Sequence, residues 1–169
     1  MTYLEIDEAL VEITRAKCAE CKARLDSVPQ ENTMERKALQ IEYGMYTYCG
    51  NAGLLFNTGW ERTKVIRVRQ CFLKDAIAKY PKLHKIYNSL AEEEKLCFIA
   101  ALQMEVFLRH HWLGAQYAEL AAAKASGNAG KVFEFTIKTG ATRNMFAAWE
   151  SWRKENGIYS GMFQEDAAG

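Results

Sequence analysis

A chain of 169 residues, 49% hydrophobic and 25% charged, has the composition of one ordinary globular domain, which excludes a disordered or fibrous polymer. Its formal net charge of +1 excludes a whole-molecule attraction to nucleic acid or anionic membrane, so any charge argument must be local. No apolar run reaches the ~20 residues a membrane span requires. The opening Met1-Thr2-Tyr3-Leu4-Glu5 does not read as a signal peptide, and the cysteines at 18, 21, 49, 71 and 97 are odd in number. Reduced thiols in a cytoplasmic protein are therefore expected.

With Pro29 and Pro81 as the only prolines, long helices are permitted almost everywhere. Thr2-x-x-Glu5, Ser27-x-x-Gln30, Thr58-x-x-Glu61 and Ser89-x-x-Glu92 have capping-box spacing, in which two side chains satisfy orphan N–H groups at a helix start. The first helix is expected over Leu4 to Leu25, with Ile6, Leu10 and Ile13 on one face. A second follows Pro29 and carries Met34, Ala38, Ile41, Met45 and Tyr48 as its stripe. A third covers Trp60 to Tyr80, and a short segment follows from Leu83 to Leu90. The helix from Ala91 to about Lys124 carries Leu96, Phe98, Ile99, Leu102, Val106 and Phe107 around most of its circumference, as a central element does.

Two stretches read differently. Gly44, Gly50, Gly53 and Gly59 cluster in a segment with hairpin character, and Phe133, Phe135 and Ile137 alternate with polar residues as in a half-buried strand. The expected fold is thus mainly α, a single-domain bundle of about five or six helices over residues 1–163. It leaves room for a small β element from 45–58 and 132–139, and residues 164–169 form a frayed tail.

No catalytic motif stands out. Cys18-Ala-Glu-Cys21 lies in mid-helix and lacks the second pair that a zinc site needs, so no metal is expected. His110 and His111 point about 100° apart on a helix and cannot face one ligand together. The glycine cluster matches neither Gly-x-x-x-x-Gly-Lys-Ser/Thr nor Gly-x-Gly-x-x-Gly, so no nucleotide loop and no cofactor are expected.

Charge is unevenly spread. Residues 62–85 hold eight bases, Arg62, Lys64, Arg67, Arg69, Lys74, Lys79, Lys82 and Lys85, against one acid, Asp75, while residues 1–61 hold ten acids and six bases. A basic stretch flanked by Trp60, Phe72, Tyr80 and Tyr87 suits phosphate contacts, and suits an acidic protein surface equally.

Near the C-terminus, Gly140 stands where a tight turn would fall, Thr142 where the next helix would be capped, and Phe146 and Trp149 at inward positions. The segment 135–157 resembles a helix-turn-helix DNA-binding unit. That resemblance implies a recognition helix over 142–155 in which Arg143 and Asn144 reach base edges. The residues by themselves give an amphipathic helix, apolar at Met145, Phe146, Trp149 and Trp152, with Arg143, Asn144, Ala147, Ser151 and Lys154 opposite. Two non-enzymatic functions compete. One is a nucleic-acid binder using Arg62, Lys64, Arg67, Arg69 and Lys74 with the 142–155 helix. The other is a helical interaction module, such as the inhibitors and adaptors that phages and mobile elements encode, docking on a larger protein machine. No membrane partner is expected, and the oligomeric state, a dimer included, stays open.

Overall fold

The computed structural model describes residues 2–57, 74, 81–106 and 112–157. Six helices are described: α1 (Tyr3–Ser27), α2 (Thr33–Asn57), α3 (Lys82–Ser89), α4 (Glu92–Val106), α5 (Gly114–Ser126) and α6 (Ala129–Glu155). No strand occurs among the described residues, and none of the helices described is long and apolar enough to cross a membrane. The mainly helical bundle is as the composition and stripes imply.

The start of α1 forms the capping box foreseen: Glu5 N–H donates to Thr2 Oγ1 at 3.3 Å and Thr2 N–H to Glu5 Oε2 at 2.6 Å. Ser27 and Ser89 do not cap helix starts. Each hydroxyl donates back to a carbonyl of its own last turn, Ser27 to Arg24 at 2.8 Å and Ser89 to Ile86 at 2.7 Å. Thr58 lies outside the described residues, as does all of the expected 60–80 helix except Lys74, which is helical and exposed. The helix foreseen over 91–124 appears as α4 and α5, with 112–113 in a wider π-type turn and 107–111 outside the described residues.

A short loop through Pro29 folds α2 back along α1. Cross-helix contacts run in opposite chain order, Arg36 to Leu25, Leu39 to Cys21 and Thr47 to Cys18, so the pair is antiparallel. Arg36 fastens the corner by donating to the carbonyls of Leu25 (3.2 Å), which also accepts the Val28 N–H, and of Val28 (2.9 Å). The face of α2 that enters the core is Leu39, Tyr46 and Cys49, with Met45 at its edge. The stripe read from the sequence is displaced from it: Met34 and Tyr48 at its ends are 58% and 56% exposed.

The long helix α6 packs on α1, α2 and α5 and places Ala141, Met145 and Trp149 among Ile6, Leu10, Leu39 and Tyr46. In α4 the successive residues Phe98, Ile99, Ala100 and Ala101 are all buried, so this one turn is enclosed on every side, while Glu92, Glu93 and Glu94 at the helix start are exposed. Between α5 and α6 the chain turns within two residues. Gly127, at φ +69°, ends α5 in the left-handed conformation, and the Asn128 side chain accepts Lys131 N–H at 3.2 Å to start α6.

The β element foreseen at 45–58 and 132–139 is replaced by helix: 45–57 belongs to α2 and 132–139 to α6. In α6 two threonine hydroxyls bond back one turn, Thr136 to Val132 (2.6 Å) and Thr139 to Phe135 (2.6 Å), which accommodates β-branched residues inside a helix. A polar relay ties three helices together. Arg24 of α1 meets Glu42 Oε1 at 3.3 Å, Tyr46 of α2 donates to the same oxygen at 2.7 Å, and Asn144 of α6 donates to the Tyr46 phenol at 3.2 Å.

Candidate functional site

The helix α6 crosses α2 and leaves a cleft at each of two places. The broader, of about 750 Å³, lies at the α5–α6 corner, floored by Ala38, Val132, Phe133 and Ile137, with Lys124 on its wall. Lys37 Nζ sits 6.0 Å from the Phe133 ring centre. Lys37, Lys131 and Lys138 surround Glu134, whose carboxyl is held below its ordinary range first by the hydrogen bond from Lys138, then by the charges of all three lysines. The Lys138–Glu134 ion pair measures 2.8 Å, so one acid stands among three bases and is already paired. The corner is locally positive although the chain as a whole is nearly neutral.

The second cleft, of about 440 Å³, is walled by Ile41, Met45, Tyr48 and Phe135, with Gln116 and Lys138 as its polar groups. Gln116 is buried. Its Oε1 accepts from Thr142 at 2.8 Å, and its Nε2 faces the Met45 sulfur at 3.2 Å. Tyr48 stands beside this cleft with its ring 5.3 Å from that of Trp112.

Of the residues proposed from the sequence, Arg62, Lys64, Arg67 and Arg69 lie outside the described residues, as do His110, His111 and Cys71, while Lys74 is exposed. Arg143, Asn144, Ser151 and Lys154 are brought together on the exposed side of α6, opposite the buried Met145 and Trp149. Asn144 is committed to Tyr46, and Lys154 pairs with Glu150 at 2.9 Å. Gly140 and Thr142, the turn and cap of the helix-turn-helix resemblance, both lie within the uninterrupted helix α6. Thr142 is fully buried with its hydroxyl on Gln116, so locally there is one helix where the resemblance implies two. The corner lysines were not singled out from the sequence, because they are spread over α2, α5 and α6 and only the fold gathers them. The one local signal was Ser126-Gly127-Asn128, a turn followed by a capping residue.

Cys21 and Cys49 are buried and take part in packing. Cys21 donates to the Leu39 carbonyl at 3.2 Å, and Cys18 lies 3.7 Å from the Thr47 hydroxyl. Burial pushes the Cys49 thiol from its ordinary 9.0 up to about 12, with the neighbouring Cys18 adding a little, and burial also raises Cys21. These groups are therefore neutral near pH 7, and the thiolate is the reactive form. A folded-state value above the unfolded one gives stability that is whole below pH 9 and is lost as pH rises toward 12. Unfolding by urea at about pH 10.5 is expected to show ~2 kcal/mol less stability from Cys49 alone than at pH 8. Cys49→Ala should flatten that alkaline loss, and an unchanged slope in this variant would remove Cys49 as its source.

No family model matches the chain, and no curated protein or solved structure does. The class that the fold itself defines is a helical bundle in which one antiparallel helix pair is closed by a long third helix.

Proposed function

We propose that the chain is a non-enzymatic helical interaction module that docks an acidic protein segment on the cleft at the α5–α6 corner. The observation that carries this reading is an apolar floor, Ala38, Val132, Phe133 and Ile137, with Lys124 on the cleft's wall and Lys37 over the Phe133 ring. A segment with apolar residues on one face and carboxylates on its flanks complements both features. The lysine stems extend the apolar contact while their ammonium groups stay in water. The test is fluorescence anisotropy with a labelled amphipathic peptide carrying leucines at helical spacing and glutamates on either side, run beside a DNA duplex and a single-stranded RNA. The peptide is expected to bind, and Lys37→Glu with Lys124→Glu to weaken it by roughly tenfold or more. Binding of nucleic acid with none of the peptide overturns the reading.

A second reading, nucleic-acid binding, is favoured by the exposed strip of α6, where Ala147 and Ser151 leave a low surface between Arg143 and Lys154. In it Arg62, Lys64, Arg67, Arg69 and Lys74 would contact phosphates. Arg67→Ala with Arg69→Ala would then flatten the log–log salt dependence by ~1–2.

A further inference from the structure

The cleft over Gln116 has features that packing alone does not require. Its volume of about 440 Å³ falls in the range of small-molecule sites, roughly 300–1,000 Å³. Its walls are apolar and partly aromatic, through Ile41, Met45, Tyr48 and Phe135. The floor carries a buried amide whose oxygen accepts from Thr142 and whose NH2 group meets, among the described residues, a thioether sulfur, a weak acceptor for one of two donors. A buried donor so poorly matched costs free energy that an oxygen acceptor would recover. Lys138 lines the same cleft, its ammonium 5.1 Å from the Phe135 ring centre and within reach of exchange from Glu134. The backbone of α2 opens at Gly44, where an added Cβ would meet nothing within 4 Å.

We infer that this cleft binds a small, flat apolar carboxylate, its body between Tyr48, Met45 and Phe135 and its carboxylate taking the Gln116 N–H and the Lys138 ammonium. This site is separate from the corner cleft, so it stands whether or not the docking reading does. A carboxylate adds to the apolar contact a charge-assisted hydrogen bond, roughly twice as strong as a neutral one. It also offers Lys138 a second anion in place of Glu134.

The test is ligand-observed NMR titration of the whole chain with 2-naphthoate, and in parallel with the uncharged 2-naphthamide. One naphthoate per chain is expected, bound on the order of tenfold more tightly than the amide. Lys138→Met should abolish that preference while leaving the amide's affinity unchanged. Gly44→Leu, which puts a side chain into the open cleft and a better helix former into α2, should remove binding of both. Gly44→Ala, which leaves the cleft open, should retain it. Circular dichroism and thermal melting of each variant report that the fold is intact, and Lys138→Met, a partly exposed change, serves even if Gly44→Leu does not fold. The absence of saturable naphthoate binding, equal affinities for acid and amide, or unaltered binding by a folded Gly44→Leu each overturns the inference.

Discussion

Trp149→Ala is expected to destabilise the chain by about 3–5 kcal/mol, the largest effect of any single truncation proposed for it. Trp149 is fully buried, stacks on Trp152 with ring centres 5.2 Å apart, and stands in the cluster that joins Ile6 and Leu10 of α1 to Tyr46 of α2 and Met145 of α6. Removing the indole opens a cavity where three helices meet, and close-packed neighbours refill such a space only in part. The indole N–H has no hydrogen-bond partner among the described residues, so it contributes packing and no polar tie. Trp149→Phe keeps most of the ring and removes a buried unmatched donor, and is therefore expected to cost much less than Trp149→Ala. Equilibrium urea unfolding measures both. Equal losses for the two variants would show that the N–H is matched and matters.

Gly140 gives the second large effect and separates two pictures of the C-terminal region. In an uninterrupted α6, Gly140→Pro removes an N–H needed by the Thr136 carbonyl and drives the ring against it, a loss of about 3 kcal/mol or more. Gly140→Ala does the opposite, since an added Cβ meets nothing within 4 Å and alanine is the better helix former by ~1 kcal/mol. Were Gly140 the tight turn of a helix-turn-helix unit in the left-handed conformation, the alanine variant would be the destabilised one. The sign of the Gly140→Ala change in melting temperature therefore decides between a single helix and two.

Much of the fold was legible because its local signals agree with one another. The Thr2–Glu5 box, the break at Pro29 and the stripe of Ile6 and Leu10 all mark α1 and its return into α2. The alternation at 133–137 misled because this part of α6 has a cleft on either flank. Phe133 and Ile137 line one and Phe135 the other, so a helix with two half-buried sides imitates a strand's period. Glycine misled at 44 for a related reason: a helical glycine facing open space looks in sequence like a turn. The amphipathic face of 142–155 was readable, with Met145 and Trp149 in and Arg143, Ser151 and Lys154 out. What that outer strip and the corner lysines do was not readable, since a charge acquires a partner only when distant segments are folded together.

The relay from Arg24 through Glu42 and Tyr46 to Asn144 acts as an indexing pin for the closing helix. Apolar side chains in ridges and grooves tolerate a slide of one turn, about 5.4 Å, with modest loss. A hydrogen-bonded chain of fixed length does not, because moving α6 by a turn would leave the Tyr46 phenol and the Asn144 amide without each other. The angular phase of α6 is thereby set against the α1–α2 pair, and with it the spacing between the outer strip at Arg143 and the clefts on its flanks. The strip and the two clefts are thereby held at constant distances from one another, as marks on one ruler.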